Sequence, residues 1–478
     1  MAVAAPAMAR AGDDGARATP YAWYVATIFM VANMVAFIDR AILSLLMEPI
    51  KADLGASDAA MGLLHGFAFA ILYSALGIPI ARLADRSNRR NIILIGVMVW
   101  TVMTLACALA RSYAMLFIAR VGVGAGEATL APASFSMLAD YFPARQLAVA
   151  LGLVAAGIYL GNGFAILGGG FLLQHFTDVG GADWPILGTL SPWQASFVVV
   201  AVLGMPLIAL IASVREPQRT ATQPSGGSVP FSEIGTYIRY NFRCHGSIIL
   251  AFSLMIMLGY GSSAWWPAVF QRSFGWSFEQ IGLRFGTITL VFGTAGAICG
   301  GWLASVLRQR GYQDANVRAA LLGAAVLLPA TIIAPLMPTG SAALAMLAVI
   351  NLTAAIPFGG GYAAIQEATP APFRAQMTAI FLLAINLIGV GLGPVLIGLA
   401  TDIVFSDAAD LRYAMALAAV VISPIAVATL VWGMPAYVGA VRAAEQFSIG
   451  TGPTAHGRSG PLPGHRLAGC PPVHGQED

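Results

Sequence analysis

The sequence predicts an all-α membrane protein of twelve transmembrane helices, arranged as two pseudo-symmetric six-helix bundles. Three observations predict it. Of 478 residues, 58% are hydrophobic and only 10% charged, where soluble domains carry roughly a quarter charged residues. A membrane span needs ~20 mainly apolar residues, and such runs lie near 21–47, 59–81, 91–110, 113–139, 146–173, 193–213, 246–270, 280–306, 318–337, 341–366, 373–403 and 411–440. Finally, the links repeat. GIPIARLADRSNRR after span two is echoed by GGWLASVLRQRG after span eight, and ADYFPARQLAVALGL after span four by QEATPAPFRAQMTAIFL after span ten.

Residues 1–20 read as a polar tail. The charged RAGDDGAR separates an alanine-rich start from the first apolar run, unlike a cleaved signal peptide, so span one is expected to stay in the mature protein. Spans one to six occupy 21–213. The longest polar link, 214–245, contains REPQRTATQPSGGSVP and divides the spans six and six, as in a duplicated transporter. Spans seven to twelve occupy 246–440. The Gly- and Pro-rich end makes 441–478 a disordered tail, because it buries too little apolar surface to fold.

The formal charge is +3, and its distribution carries the topology. Even-numbered links hold Arg82, Arg86, Arg89, Arg90, Arg145, Arg215, Arg219, Arg239, Arg243, Arg308, Arg310, Arg318 and Arg374. Odd-numbered links hold the sole lysine, Lys51, with Arg111, Arg272, Arg284 and Arg412. Positive links face the cytoplasm, so both termini are expected there, in a bacterial inner membrane. Cys107, Cys244, Cys299 and Cys470 have neither metal-ligand spacing nor disulfide density. They read as buried small apolar side chains, and no metal or cofactor site is expected.

The stretch ARLADRSNRR, 81–90, resembles the signature of the major facilitator superfamily between helices two and three, roughly G-x-L-A-D-R-x-G-R-R. Ala81 stands at the first glycine and Asn88 at the second, where Asn tolerates a left-handed backbone. Elsewhere such a loop would read as a solvated charge run. The resemblance implies the major facilitator fold. It also implies a cytoplasmic gate in which Asp85 locks one conformation, with Arg86, Arg89 and Arg90 as partners. In the second half Ser305 replaces the acid. More narrowly, 38–90, from IDRAILSLL to ADRSNRR, and ARVGVGAGEATLAPASFSMLADYFPAR resemble the Spinster-type branch, a family of lysophospholipid and sphingosine-1-phosphate transporters with bacterial relatives. The Asp39–Arg40 pair and the R-x-G-x-G-x-G-E run of span four carry most of that likeness. WWPAVFQRSFGWS in span seven agrees more loosely.

Ionisable residues inside a membrane usually face a cavity or one another. Asp39, Arg40, Arg120 and Glu127 stand out. Arg120 and Glu127 lie seven residues and roughly 10 Å apart on one helix face. Asp39 lies about 24 Å beyond Trp23 along span one, at the depth of Arg120 on the oppositely running span four. That geometry permits an Asp39–Arg120 pair and leaves Glu127, near the midplane, for a second partner. Gly122, Gly124 and Gly126 would let a neighbouring helix approach closely. A purely structural salt bridge is the alternative. Burial opposes the ionised form of a carboxyl and a nearby arginine favours it, so an acid whose arginine moves away can take up a proton. Asp39 and Glu127 are thus candidates for proton coupling, with Arg40 and Arg120 as charge switches or anchors for an anionic head group. His65 could join the relay or simply pack. Glu367 is expected to gate the cytoplasmic side with Arg374, with a plain surface acid as the alternative.

In the superfamily the cavity-lining spans would include Phe67, Phe69, Tyr73, Tyr159, Tyr260, Trp265, Trp266, Phe358 and Tyr362. Singly each can be packing or an interface anchor; together, aromatic walls with a few charges suit an amphiphile. GIYLGNGFAILGGG in span five and GVGLGPVLIG in span eleven resemble the glycine-rich stretch of superfamily antiporters, with Asn162 in place of the expected proline. Generic small-residue packing explains them as well.

The expected function is secondary active transport of an amphipathic lipid-like anion, coupled to protons, by a monomer, with a small organic acid or drug as the alternative cargo. No enzyme activity is expected: the spans show no paired HxxxH or clustered His/Asp. An ATP-driven pump would need a G-x-x-x-x-G-K-[ST] loop, and Lys51 lies instead in EPIKADL. No nucleic-acid partner is implied. A channel or a receptor stays open on charge alone.

Overall fold

The computed structural model describes residues 17–185, 187–219, 231–312 and 314–450. Within them the twelve expected rods are present. Span one is Pro20–Leu54, span two 58–86, span three Arg89–Ala108, span four Tyr113–Tyr141, span five Ala144–Asp178 and span six Pro192–Ser213. A linker helix, Phe231–Tyr240, precedes span seven at Phe242–Phe274, span eight at Phe278–Gln309 and span nine at Ala315–Leu336. Span ten is Gly340–Glu367, span eleven Arg374–Phe405 and span twelve Leu411–Gly450.

The helix ends follow from their capping residues. Thr19, Ser57, Asn88, Ser112, Ser277 and Thr339 each accept a backbone N–H from the first turn they precede, satisfying a donor that the helix leaves orphaned. Asn88 therefore corrects one expectation. Its backbone is extended, with φ −69° and ψ 109°, and its side chain caps span three instead of tolerating a left-handed turn. Span two runs on through the signature to Arg86 instead of stopping near 81. Span twelve continues to Gly450, so the expected tail is shorter by ten residues at its start; 451–478, with Cys470, lie outside the described residues, as do 1–16. The link between spans five and six holds a small antiparallel hairpin, β1 (Ala182–Trp184) with β2 (Gly188–Leu190).

A second internal repeat is visible in three dimensions. Gly55 and Gly275 both end a span in the left-handed conformation, at φ 64° and 65°. Two residues later Ser57 and Ser277 cap the next span, which after about one turn widens into a π-helical turn at Leu63–Phe67 and Gly282–Gly286. The underlying sequences, GASDAAMGLLHG and GWSFEQIGLRFG, share G-x-S-x₄-G-L-x₂-G.

These repeats seat the two halves on each other. Span two packs on span eleven, span eight on span five, and span one on span seven. A Cβ on Gly66 would meet the Gly391 carbonyl at 2.5 Å, and one on Gly286 would meet Leu167 N at 2.6 Å, so glycine is what allows the backbones to close. Among the described residues, the cross-half hydrogen bonds and ion pairs all lie where the odd-numbered spans end: Gln174 to Phe278, Asp402 to Asp58 and Ala59, and Arg272 to Glu48 and Asp58. The larger buried core fills the first bundle and continues into the second, through Ala264–Phe270 of span seven and residues of spans eight to twelve such as Phe285, Leu327, Leu347, Ile397 and Met415, whereas a second core is confined to the second bundle.

Candidate functional site

Span four presents its charges at a break. Its helix runs Tyr113–Glu127, turns at Ala128 and Thr129, and resumes at Leu130. The glycines before the break are each pressed by a neighbour: a Cβ on Gly126 would lie 2.7 Å from the Gly96 carbonyl and from Trp100 N of span three, and one on Gly124 would strike the Phe69 carbonyl of span two. The expected close helix contact is therefore real, and it involves two spans.

Arg120 Nη1 donates to Asp39 Oδ1 at 2.7 Å, with both side chains buried (1% and 2% exposed). The pair that the spacing permits is formed. Thr104 on span three donates to the other carboxylate oxygen, Oδ2, so Asp39 has both oxygens engaged. Glu127 finds its second partner in Arg40, whose Nε lies 2.6 Å from Oε2. Glu127 is 1% exposed, whereas Arg40 is 15% exposed. The other Glu127 oxygen, Oε1, is buried with no hydrogen-bond partner among the described residues.

Aromatic rings surround the arginine. The Arg40 guanidinium carbon lies 4.0 Å from the Phe69 ring centroid, 4.7 Å from Phe37 and 4.9 Å from Tyr73, within cation–π range. His65, buried in the span-two π-turn with Nδ1 unpartnered, stands 5.6 Å ring to ring from Tyr260 of span seven. The cluster of Asp39, Arg40, Arg120, Glu127 and His65 therefore lies in the first bundle and touches the second through Tyr260. Phe67 is half-buried facing Gly391 of span eleven, and Tyr159 is half-buried beside Gly293 of span eight.

Other expectations are not met. Trp265 is fully buried and donates its indole N–H to the Pro394 carbonyl at 3.0 Å. It fastens span seven to span eleven within the second bundle, and Trp266 is buried beside it. Tyr362 packs against the second core, away from the charged cluster. The Phe358 side chain lies outside the described residues. Cys299 is exposed on span eight, unlike the buried Cys107 and Cys244.

The expected gate residues regroup. Arg89 binds Asp140 at 2.6 Å and Glu216 at 2.7 Å, and Arg90 donates its backbone N–H to Glu216 and its side chain to the Ala212 carbonyl. Asp85 makes no ion pair with Arg86, Arg89 or Arg90; Arg219 of the linker instead donates to the span-two carbonyls of Ala84, Asp85 and Ser87. Glu367 pairs with Arg308, and accepts from Asn316 and Tyr437, both at 2.9 Å. Arg374 turns back to its own link, donating to the Thr369 carbonyl. The reason is reach: spans eight, nine and twelve end around Glu367, whereas Arg374 opens span eleven.

Sequence reasoning missed Thr104, Phe37, Asp140, Glu216, Glu48, Asp58 and Asp402, and it left Lys51 and Arg272 as link charges. Opposite charges at both ends of the GxS turn at Gly55 were the available signal for Lys51 and Asp58. Thr104 had none, since nothing in TVMTLACAL marks which hydroxyl faces span one.

Residues 29–394 match the Major Facilitator Superfamily. An MFS-type efflux pump of Mycolicibacterium smegmatis is 29% identical over 395 residues, covering 81% of this chain and 86% of that protein. Protein spinster of Drosophila melanogaster is 23% identical over 303 residues, and the match spans 60% of this chain but only 46% of the fly protein. A crystal structure of a bacterial homologue of the human lysosomal transporter Spinster, inward-facing and unoccupied, is similar with a TM-score of 0.69 at 26% identity, covering 90% of this chain and 98% of that one. The matched stretch, the two six-span bundles and this structural likeness agree: the chain belongs to the Major Facilitator Superfamily, as a multi-pass membrane transporter whose fold is similar to that of the bacterial Spinster homologue.

Proposed function

We propose that the protein carries an amphipathic, lipid-like anion across the bacterial inner membrane by alternating access of its two bundles, driven by protons that bind Glu127. It works as a monomer with both termini in the cytoplasm. The observation that carries the reading is the asymmetry of the two ion pairs. Asp39 has both oxygens engaged and its arginine is buried. Glu127 keeps one buried oxygen free and holds the partly exposed Arg40.

A half-satisfied buried pair is the place where a proton can enter. A proton on Oε1 neutralises the Glu127 carboxylate and releases its hold on Arg40. The guanidinium, bordered by Phe69 and Tyr73, then offers a cation beside an apolar wall, which matches a charged head group attached to a hydrocarbon. Return of the proton to water restores the Arg40–Glu127 pair and expels the head group. Asp39 and Arg120 hold span one on span four throughout.

The test is uptake of labelled lysophosphatidylglycerol into proteoliposomes, with and without an imposed pH gradient. Gradient-driven uptake by the wild type that is lost in Glu127→Gln is expected. No uptake by a folded wild type would remove the lipid-like cargo. The name of the mycobacterial relative, an MFS-type efflux pump, favours a second reading, a drug or small organic acid as cargo. Gradient-driven movement of such a compound, uncompeted by lysolipid, would establish it.

A further inference from the structure

The face where the halves meet carries a charged clasp that the site chemistry does not use. Arg272, at the end of span seven, donates to both oxygens of Asp58 at 2.7 Å, to Glu48 Oε1 with Nε at 3.1 Å, and to the Ala408 carbonyl at 3.0 Å. Asp58, at the start of span two, is fully buried and also accepts from Lys51 Nζ at 2.5 Å. Asp402 of span eleven accepts the backbone N–H groups of Asp58 and Ala59, at 3.3 and 2.7 Å.

These partners divide by bundle. Arg272, Ala408 and Asp402 ride on the second bundle. Lys51, Glu48 and Asp58 ride on the first, where the tight turn at Gly55 holds Lys51 and Asp58 together. When the halves part here, Arg272 must leave Asp58. Removing one partner from a buried charge is costly unless another takes its place. The helix start keeps one acceptor on its own bundle whatever the second bundle does, since Ser57 accepts the Ala60 N–H at 3.1 Å.

We propose that Lys51 is the standby partner of Asp58 in the transport cycle. Arg272 leaves Asp58 as the halves separate at this face and Lys51, already bonded to it, stays, so the carboxylate keeps a partner in both states. A compact ammonium on a flexible stem suits this task better than a planar guanidinium committed to one fork, and this is the single lysine of the chain. The device is one-sided. In the second copy of the G-x-S repeat Phe278 stands where Asp58 stands in the first, and among the described residues that seam carries only the Gln174 to Phe278 bond.

The inference depends on the halves moving and not on the cargo or the proton site. The test is single-molecule fluorescence transfer on the full chain in nanodiscs. Dyes are placed at Ala52→Cys and Gln280→Cys, exposed on opposite bundles, with the native cysteines replaced. The wild type is expected to switch between short and long distances. Arg272→Gln should shorten the dwell in the short-distance state, Lys51→Met should lengthen it several-fold, and Lys51→Arg should return it towards wild type. A wild type that holds one distance, an unchanged dwell in either Arg272→Gln or Lys51→Met, a shorter dwell in Lys51→Met, or a Lys51→Arg that behaves like Lys51→Met would each overturn this role of Lys51.

Discussion

Arg40 and Glu127, 87 residues apart in the chain, meet with Nε 2.6 Å from Oε2, while the second glutamate oxygen stays buried and unpartnered. One residue before Arg40, Asp39 makes the opposite arrangement, with Arg120 on one oxygen and Thr104 on the other. The carboxylates of two acid–base pairs built from the same two spans are thus prepared differently, one with both oxygens engaged and one with a single oxygen engaged. In the function proposed above, that difference is why Glu127 carries the moving proton and Asp39 the structural task.

Asp39→Asn is therefore expected to act on stability first. It leaves Arg120 buried with no counter-charge, a loss of roughly 3–5 kcal/mol, while Thr104→Val removes one hydrogen bond worth about 1 kcal/mol. Thermal unfolding of the detergent-purified protein should rank the variants Asp39→Asn, Thr104→Val, wild type, from least to most stable. Asp39→Asn with wild-type stability would deny the pair its structural role.

Two glycines of RVGVGAGEA, Gly124 and Gly126, are pressed by neighbouring backbones, whereas Gly122 meets the Met103 side chain. Gly124→Val should lower the unfolding temperature and the folded yield, since any Cβ there strikes the Phe69 carbonyl on the strand of residues that walls Arg40. Gly152→Ala, where nothing lies within 4 Å, should be tolerated or slightly stabilising, as alanine favours a helix over glycine by about 1 kcal/mol. Equal outcomes for the two sites would contradict the packing account.

This region also shows how far the sequence could be read. The Asp39–Arg120 pair was legible because helix rise and direction fix depth, and depth alone brings those two side chains level. The choice of Arg40 for Glu127 was not, because it depends on rotation about span one, which spacing does not give. Trp265 misled for a related reason: an aromatic on a cavity-lining span faces either the cavity or the next helix, and only packing decides. The fold itself was legible from run lengths and the six-and-six division. The G-x-S-x₄-G-L-x₂-G repeat, clearer than the two echoes that first suggested duplication, was overlooked because its identities fall on small residues at span starts instead of on the charged links.

At the even-numbered links of the first bundle, Arg89 is a hub holding Asp140 of span four and Glu216 of the linker. Arg89→Gln should release the strap, and hydrogen exchange of the amides in 214–219 should rise while exchange in the interior of span six stays unchanged. No rise would mean that the other bonds to the strap, from Arg219 to Ala84, Asp85 and Ser87 and from Arg90 N–H to Glu216, hold it without Arg89.

Charge reversal distinguishes the two proposed partners of Glu367. Glu367→Arg should impair folding or transport, and the added Arg308→Glu should restore it, whereas Arg374→Glu should not. Because Arg308 is largely exposed, the pair itself is worth at most about 1 kcal/mol, so rescue is the informative readout. Rescue by Arg374→Glu would return the gate to the partner expected from sequence.

The most direct test of the central claim separates cargo binding from proton coupling in one variant. Proteoliposomes containing Glu127→Gln are compared with wild type in two assays, exchange of labelled lysophosphatidylglycerol at equal pH and its accumulation against a concentration difference under a pH gradient. The neutral amide mimics the protonated acid, so the account predicts that exchange persists and gradient-driven accumulation is lost. Accumulation at the wild-type level in Glu127→Gln would contradict it and move the proton away from Glu127.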